Sequence, residues 1–263
     1  MNNHISSISL DESIFVEPKD IRFHIREFYN ALYSQKVGVW FDISGLNFEQ
    51  ISEVQADSLI KPFEESEIFS AGSSSRKKKA PVPKFAGSSN IKDYRPISLI
   101  NGLYKMLSKA LSRKLSPLIS HVVFNSHHAF LKERSILECS MIANELVHLA
   151  NRMKDKHHVL KLDFHKVFDS IAWDFLFSVM RCMNFLEKWI KWMLCYLSSA
   201  TTALLVNGSP IDPIFLRRCV PQGDSISPYL FVIAVEGLKR ISDRSAEMGF
   251  NEGLPLSNRE AYL

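Results

Sequence analysis

The chain has 263 residues, 46% apolar and 23% charged with 18 Phe, so it holds enough apolar material for a sizeable core and is not disordered throughout. Its formal charge of +4 hides an imbalance, because residues 1–70 carry 5 basic and 12 acidic side chains and the remainder carries 27 and 16. Basic residues are densest over 76–114, where eleven Lys and Arg stand against Asp93 alone, and that asymmetry points to a polyanion partner for the larger part.

Residues 20–34 set Ile21, Ile25, Phe28 and Leu32 at helical spacing. Residues 48–69 read as one or two acidic helices interrupted at Pro62. Small residues, the run Arg76, Lys77, Lys78 and Lys79, then Pro81 and Pro83 mark the clearest linker in the chain. The basic run reads as a solvated loop, with a nuclear-import signal or a phosphate contact as alternatives. Leu103, Leu107, Leu111, Leu115 and Leu118 predict an amphipathic helix over 101–119 that ends near Pro117, with Lys105, Lys109, Arg113 and Lys114 on its other face. A second helix covers 135–153, and residues 159–163 form a short apolar strand ending in Asp163. Helices over 171–183 and 187–198 are rich in aromatics, which read as core. Asn207 and Gly208, between apolar stretches at 201–206 and 211–217, predict a hairpin whose turn needs positive φ. Pro228 opens a last helix to about Glu247. Helices interleaved with a few strands give an α+β or α/β layout.

Cys139, Cys182, Cys195 and Cys219 are widely spaced and form no C-x-x-C pair, which argues against a disulfide framework or a zinc site and fits a reducing compartment. The first residues lack a signal-peptide pattern, and the longest apolar run, 229–235, is far too short to span a bilayer. The chain therefore reads as a soluble, non-secreted protein of the nucleus or cytoplasm. It carries no Walker A sequence, G-x-G-x-x-G, G-x-S-x-G or H-E-x-x-H. His127, His128, His157 and His158 lack metal-site spacing and read as exposed loop residues. Asp163, at a strand end, would project into an adjoining groove, whereas Asp169, just before Ile171, reads as a helix N-cap.

Three blocks of sequence carry a resemblance. Tyr94-Arg95-Pro96-Ile97-Ser98-Leu99 resembles the fingers motif of reverse transcriptases from non-LTR (LINE-type) retrotransposons. Residues 161–169, with Asp163, Phe168 and Asp169, look like their palm motif L-D-x-x-K-A-F-D. Asn207-Gly208 followed by residues 217–228 is similar to their N-G … R-G-x-R-Q-G-D-x-x-S-P block. The resemblance covers about residues 81–256, and 40–70 resembles the acidic stretch before the fingers in plant members. It implies an α+β, helix-rich, partial right-hand polymerase (fingers–palm) fold. The expected organisation is an acidic helical leader over 1–70, a basic Ser-rich linker and start of fingers over 71–90, and the fingers–palm domain over 91–263. It further implies an RNA template, a DNA primer, deoxynucleoside triphosphates and Mg²⁺ as partners. Such polymerases use two divalent ions roughly 4 Å apart, held by carboxylate oxygens. By resemblance Asp163 is the first metal-binding carboxylate, assisted by the backbone carbonyl of Phe164. Phe168 is the bulky gate under the sugar, Lys84 and Arg95 hold the triphosphate, and Gln222 with Gly223 touches nucleotide and template. Read without the family, Lys84 and Arg95 are solvated surface, Phe168 is core and Gln222 is a turn residue.

Departures from the pattern carry the opposite expectation. The family continues into a strand–turn–strand bearing aromatic-Ala-Asp-Asp, but no Asp-Asp pair occurs in these 263 residues. The K-x-P-G-P-D-G segment of the fingers and the thumb are also missing. His127 stands where the family has Gln, Glu133 replaces a Gly before Arg134, Val167 replaces Ala, and Cys219 and Pro221 replace Gly and Arg. Glycine at 219 would permit a backbone conformation that Cys resists. The expectation is a truncated, degenerate copy without polymerase activity. The alternatives are a non-catalytic nucleic-acid-binding remnant and a marginally folded pseudogene product.

Overall fold

The computed structural model describes residues 4–10, 12–34, 42–73, 90–91, 102–131, 134–153, 167–202, 205–221 and 223–250. A short hairpin opens it, β1 (Ile8–Leu10) antiparallel to β2 (Ser13–Phe15), with Glu12 at φ 72° in the turn. Three helices follow: α1 (Pro18–Tyr33), α2 (Glu53–Leu59) and α3 (Glu65–Ser73). The periodicity over 20–34 matches α1, which buries Ile21, Ile25, Tyr29 and Tyr33 on one face. Pro62 separates α2 from α3, as its missing N–H dictates. A capping box starts α2: the Ser52 hydroxyl accepts from the Gln55 N–H while the Gln55 side chain accepts from the Ser52 N–H. The linker at 71–90 lies outside the described residues except at its ends.

Helix α4 (Gly102–Val122) runs through Pro117 instead of ending there. Leu118, Ile119 and Val122 are buried beyond the proline, and each such side chain contributes about 1.5–3 kcal/mol on leaving water. That gain outweighs one forgone helical hydrogen bond, and the proline ring sits at an exposed position. Helix α5 (Ile136–Met153) follows, then the single turn α6 (Val167–Ser170), α7 (Trp173–Cys182) and α8 (Glu187–Ser198). The aromatics of α7 and α8 are core or packed against it: Trp173, Phe177 and Trp189 are buried, with Phe175 and Trp192 alongside.

The predicted hairpin is present in two antiparallel pieces. β4 (Leu205–Val206) pairs with β5 (Ser209–Pro210) across the turn, and β3 (Thr201–Thr202) pairs with β6 (Ile214–Phe215). Asn207 at φ 52° and Gly208 at φ 80° supply the two positive φ values of a type I′ turn. The two pairs form separate two-stranded sheets. The Asn207 side chain clasps the start of the chain, accepting from the Ile5 N–H (2.7 Å) and donating to its carbonyl (2.9 Å). Helix α9 (Ser227–Glu247), with Pro228 in its first turn, closes the described chain.

One hydrophobic cluster joins residues of α1 and α2 to those of α4, α7, α8 and α9. Backbone seams reinforce it: the Ile51 N–H donates to the Met183 carbonyl (3.1 Å), and Asn184 Nδ2 donates to the Ile51 carbonyl (3.0 Å). Helices α7 and α9 meet at Gly237, where a Cβ would lie 2.5 Å from Val179 Cγ2 and 2.9 Å from Phe175 Cζ. None of the described helices is long and apolar enough to cross a membrane.

Candidate active site

Two of the motif segments meet. The Val220 N–H donates to the Phe168 carbonyl (2.8 Å) and the Cys219 N–H to the Ile171 carbonyl (2.9 Å). Trp173 Nε1 donates to the Cys219 carbonyl (2.7 Å), so residue 219 is gripped on both sides of its peptide unit. Cys219 is only 3% exposed and adopts φ 88°, the conformation anticipated for a glycine. Burial, then the nearby Asp169 carboxylate, pushes its thiol well above the usual range. Half-buried Phe168 packs its ring against Phe231 (5.1 Å between centroids) and edge-on to Phe130 (6.4 Å). Phe130 is 51% exposed and at φ 62°. Gly223 lies exposed at φ 86°, three residues after Val220.

Asp224 is a heavily bonded carboxylate of this region. It is 6% exposed and accepts from the hydroxyls of Ser108 on α4, Tyr196 on α8 and Ser227 at the start of α9 (3.4 Å). It also accepts from the Ser225 N–H at 2.6 Å. Tyr104 stacks on Tyr196, with centroids 4.4 Å apart, and its hydroxyl donates to the Tyr196 carbonyl (3.1 Å). Burial raises the Asp224 pKa to about 6 against the pull of these donors, and it pushes the Tyr196 hydroxyl far above its ordinary value.

Asp169 is structural, as expected, but not as an N-cap. Helix α7 has Ala172 at its N-cap, while Asp169 lies inside α6, buried, and accepts from the Tyr33 hydroxyl (3.4 Å). The Tyr33 carbonyl in turn accepts from the Arg217 N–H (3.1 Å), so the end of α1 touches both motif segments. The loop after α4 is held by Arg134, whose Nη1 donates to the carbonyls of Phe124 (2.5 Å) and His127 (2.7 Å). Glu236 accepts from the Phe124 N–H (3.2 Å) and from Arg240 Nε (3.1 Å), with Lys239 and Arg240 over the Phe124 ring. His127 and His128 are half-buried in this loop, a correction to the exposed reading: Arg134 holds the His127 carbonyl, and His128 Nδ1 lies 2.8 Å from the Ser126 carbonyl. Burial lowers the His127 pKa.

Of the residues singled out by sequence, Phe168 and Gly223 are described, and both sit beside the 168–171/219–220 seam. Lys84, Arg95, Asp163, Phe164 and Gln222 lie outside the described residues, as do the strand at 159–163 and His157 and His158. Two cations of the basic face on α4 are engaged by residues 61–70 at the surface. Arg113 donates to the Ser70 hydroxyl and carbonyl, and Lys114 donates to the Lys61 carbonyl (2.5 Å) while lying over the Phe63 ring (4.3 Å).

The described residues do not make a magnesium site. No group of three or more His, Cys, Asp or Glu side chains among them is arranged to hold a metal ion. The two acids nearest the seam, Asp169 and Asp224, are buried and already accept from hydroxyls, unlike the hydrated carboxylates that Mg²⁺ takes. Sequence reasoning missed Asp224, Ser108, Tyr196 and Tyr33, whose partners are remote in the chain. The one available signal was the acid three residues before the Ser-Pro start of α9, the Asp of the Q-G-D-x-x-S-P pattern.

Comparison of the sequence with known proteins places the chain among polymerase relatives. The sequence profile of reverse transcriptase (RNA-dependent DNA polymerase) matches residues 76–250. The transposon TX1 uncharacterized 149 kDa protein of Xenopus laevis is 27% identical over 155 residues, 59% of this chain and 12% of that protein. The retrovirus-related Pol polyprotein from type-1 retrotransposable element R2 of Popillia japonica is 24% identical over 158 residues, 60% of this chain and 22% of its own length. The corresponding polyprotein from type-2 element R2DM of Drosophila melanogaster is 25% identical over 187 residues, 69% of this chain and 17% of its own length. The chain thus spans less than a quarter of each of these relatives.

Proposed function

The chain belongs to the reverse transcriptase (RNA-dependent DNA polymerase) family, and on that premise we propose that it forms the fingers–palm part of a non-LTR retrotransposon polymerase, which copies an RNA template from a DNA primer with deoxynucleoside triphosphates. The observation that supports this reading is the seam between Phe168–Ile171 and Cys219–Val220, which sets the candidate gate beside the turn that contains Gly223. In this reading Phe168 lies under the incoming sugar, braced from behind by Phe231. Lys84 and Arg95 hold the triphosphate, whose bidentate recognition suits guanidinium. Gln222 and Gly223 meet nucleotide and template, and Gly223 without a side chain lets the backbone approach closely. The family generally works with Mg²⁺, which bound carboxylates would use to steady charge on the transferred phosphate. Asp163, with the Phe164 carbonyl, is the first ligand in this reading.

These 263 residues contain no Asp-Asp pair, and one carboxylate cannot hold two bridged dications. As an isolated polypeptide they bind nucleic acid without extending a primer. Anisotropy with a labelled RNA–DNA hybrid tests the binding half: affinity should fall by roughly a thousandfold between about 50 and 200 mM salt if six or so phosphates are engaged. A flat response rejects nucleic-acid recognition. Primer extension with Mg²⁺ tests the other half, and incorporation that disappears in Asp163→Asn would overturn the inactivity.

A further inference from the structure

A buried carboxylate surrounded by hydroxyls, with no ion pair to a cation among the described residues, is a poor way to stabilise a core, since an apolar side chain of similar volume would do as well or better. What such a group supplies is direction: three hydroxyls from three helices and the loop N–H of Ser225 converge on one side chain. We infer that Asp224 is a positioning residue for the polymerase site, locking the Gly223 turn at a set place relative to Phe168. The inference rests on the functional reading above, which puts that turn against nucleotide and template.

The geometry gives the lock its reach. Upstream of the turn, Val220 is fastened to the Phe168 carbonyl at 2.8 Å, and Cys219 to Ile171 and Trp173. Downstream, Asp224 is fastened to α4 through Ser108 and to α8 through Tyr196. Four Cα steps separate residues 220 and 224, about 14 Å at full stretch. A chain this short between two fixed ends has few conformations, and Gly223 at φ 86° turns it within that span. Removing the Asp224 side chain leaves the downstream side of the turn held only through the Ser225 and Ile226 amides, without the bonds to α8 and to the Ser227 hydroxyl. The Ser108 hydroxyl also accepts from the Ser225 N–H (3.0 Å) and the Ile226 N–H (3.3 Å), so the same contact that holds Asp224 fixes the first residues leading into α9.

Amide hydrogen exchange and hybrid-binding anisotropy on the full chain test this with Asp224→Ala, Asp224→Asn and Tyr196→Phe. In Asp224→Ala the Val220 and Ser225 amides should exchange about tenfold faster or more, while the Met183 amide at the end of α7 keeps its rate. Hybrid affinity should drop about tenfold, Asp224→Asn should recover most of both losses through its carbonyl oxygen, and Tyr196→Phe should add nothing in the Asp224→Ala background. Unchanged exchange at Val220 overturns the lock. Acceleration spread equally to Met183 also overturns it, because Asp224 would then serve general stability only. If Asp224→Ala does not fold, Asp224→Asn and Tyr196→Phe are read at the same amides, and equal acceleration at Val220 and Met183 in both refutes the positioning role. A wild-type chain that does not bind the hybrid defeats the functional reading, whereas the exchange rates still decide the lock.

Discussion

Position 219 offers a test in which the ordinary order of two substitutions is inverted. At a normal φ, alanine is more stable than glycine by about 0.5–1 kcal/mol, because glycine loses more backbone freedom on folding. Cys219 sits at φ 88°, and its neighbours leave it no escape: its N–H is bonded to Ile171 and its carbonyl to Trp173. A side chain held in that region costs about 1–2 kcal/mol. Cys219→Ala keeps this strain and loses the buried sulfur, so it should be destabilised by about 1–2 kcal/mol. Cys219→Gly loses the same packing but releases the strain, and should stay within about 1 kcal/mol of the natural chain. Glycine is therefore expected to exceed alanine by roughly 1 kcal/mol. Urea denaturation at matched m-values measures the gap directly. Alanine more stable than glycine by about 0.5 kcal/mol or more would refute the argument, since it would mean that residue 219 is not held at positive φ in solution.

Other expectations are more local. Gly237→Ala should destabilise the chain by about 1–3 kcal/mol in the same assay, because its Cβ would collide with Val179 and Phe175. Asp224 has a folded pKa of about 6, raised mainly by burial above its ordinary 3.8, so its contribution is fully present below about pH 4 and is lost as pH rises through 6. Its titratable neighbours Tyr196 and Tyr104 are pushed upward and do not ionise in this window. Stability measured relative to Asp224→Asn should thus decline by roughly 3 kcal/mol between about pH 4 and 7, and a flat difference would contradict the burial. Thiol labelling at neutral pH should modify exposed Cys139 and Cys195 quickly, and Cys219, whose thiol is raised by burial, only on unfolding.

Periodic and turn-forming signals are local, and they translate into structure closely. The spacing of Ile21 and Ile25 gives α1, Pro228 opens α9, and Asn207-Gly208 forms the turn its positive φ values require. The strained backbone at Cys219 is legible because only one residue type fits it without cost. What sequence conceals is settled by partners far along the chain. Pro117 fails to stop α4 because Leu118, Ile119 and Val122 have a core to enter. Asp169 answers to Tyr33, 136 positions away, and Asp224 to Ser108, 116 positions away, so neither role has a spacing that could announce it. The basic face of α4 shows the same limit, since nothing local says that Arg113 and Lys114 turn toward Ser70 and Lys61.

The way those two cations are satisfied has an electrostatic corollary. Arg113 and Lys114 are met by a hydroxyl and by peptide carbonyls of residues 61–70, not by acids of the first 70 residues. Glu12, Glu17, Asp20, Glu27, Asp42, Glu49, Glu53, Asp57, Glu64 and Glu65 all remain exposed to solvent. Of these, Glu49 lies 4.0 Å from Arg240, and the field of the group as a whole repels a polyanion of the kind proposed above. In the proposed reading, a nucleic-acid strand approaching this acidic group is repelled before any contact forms, at distances up to the Debye length, about 10 Å at 0.1 M salt.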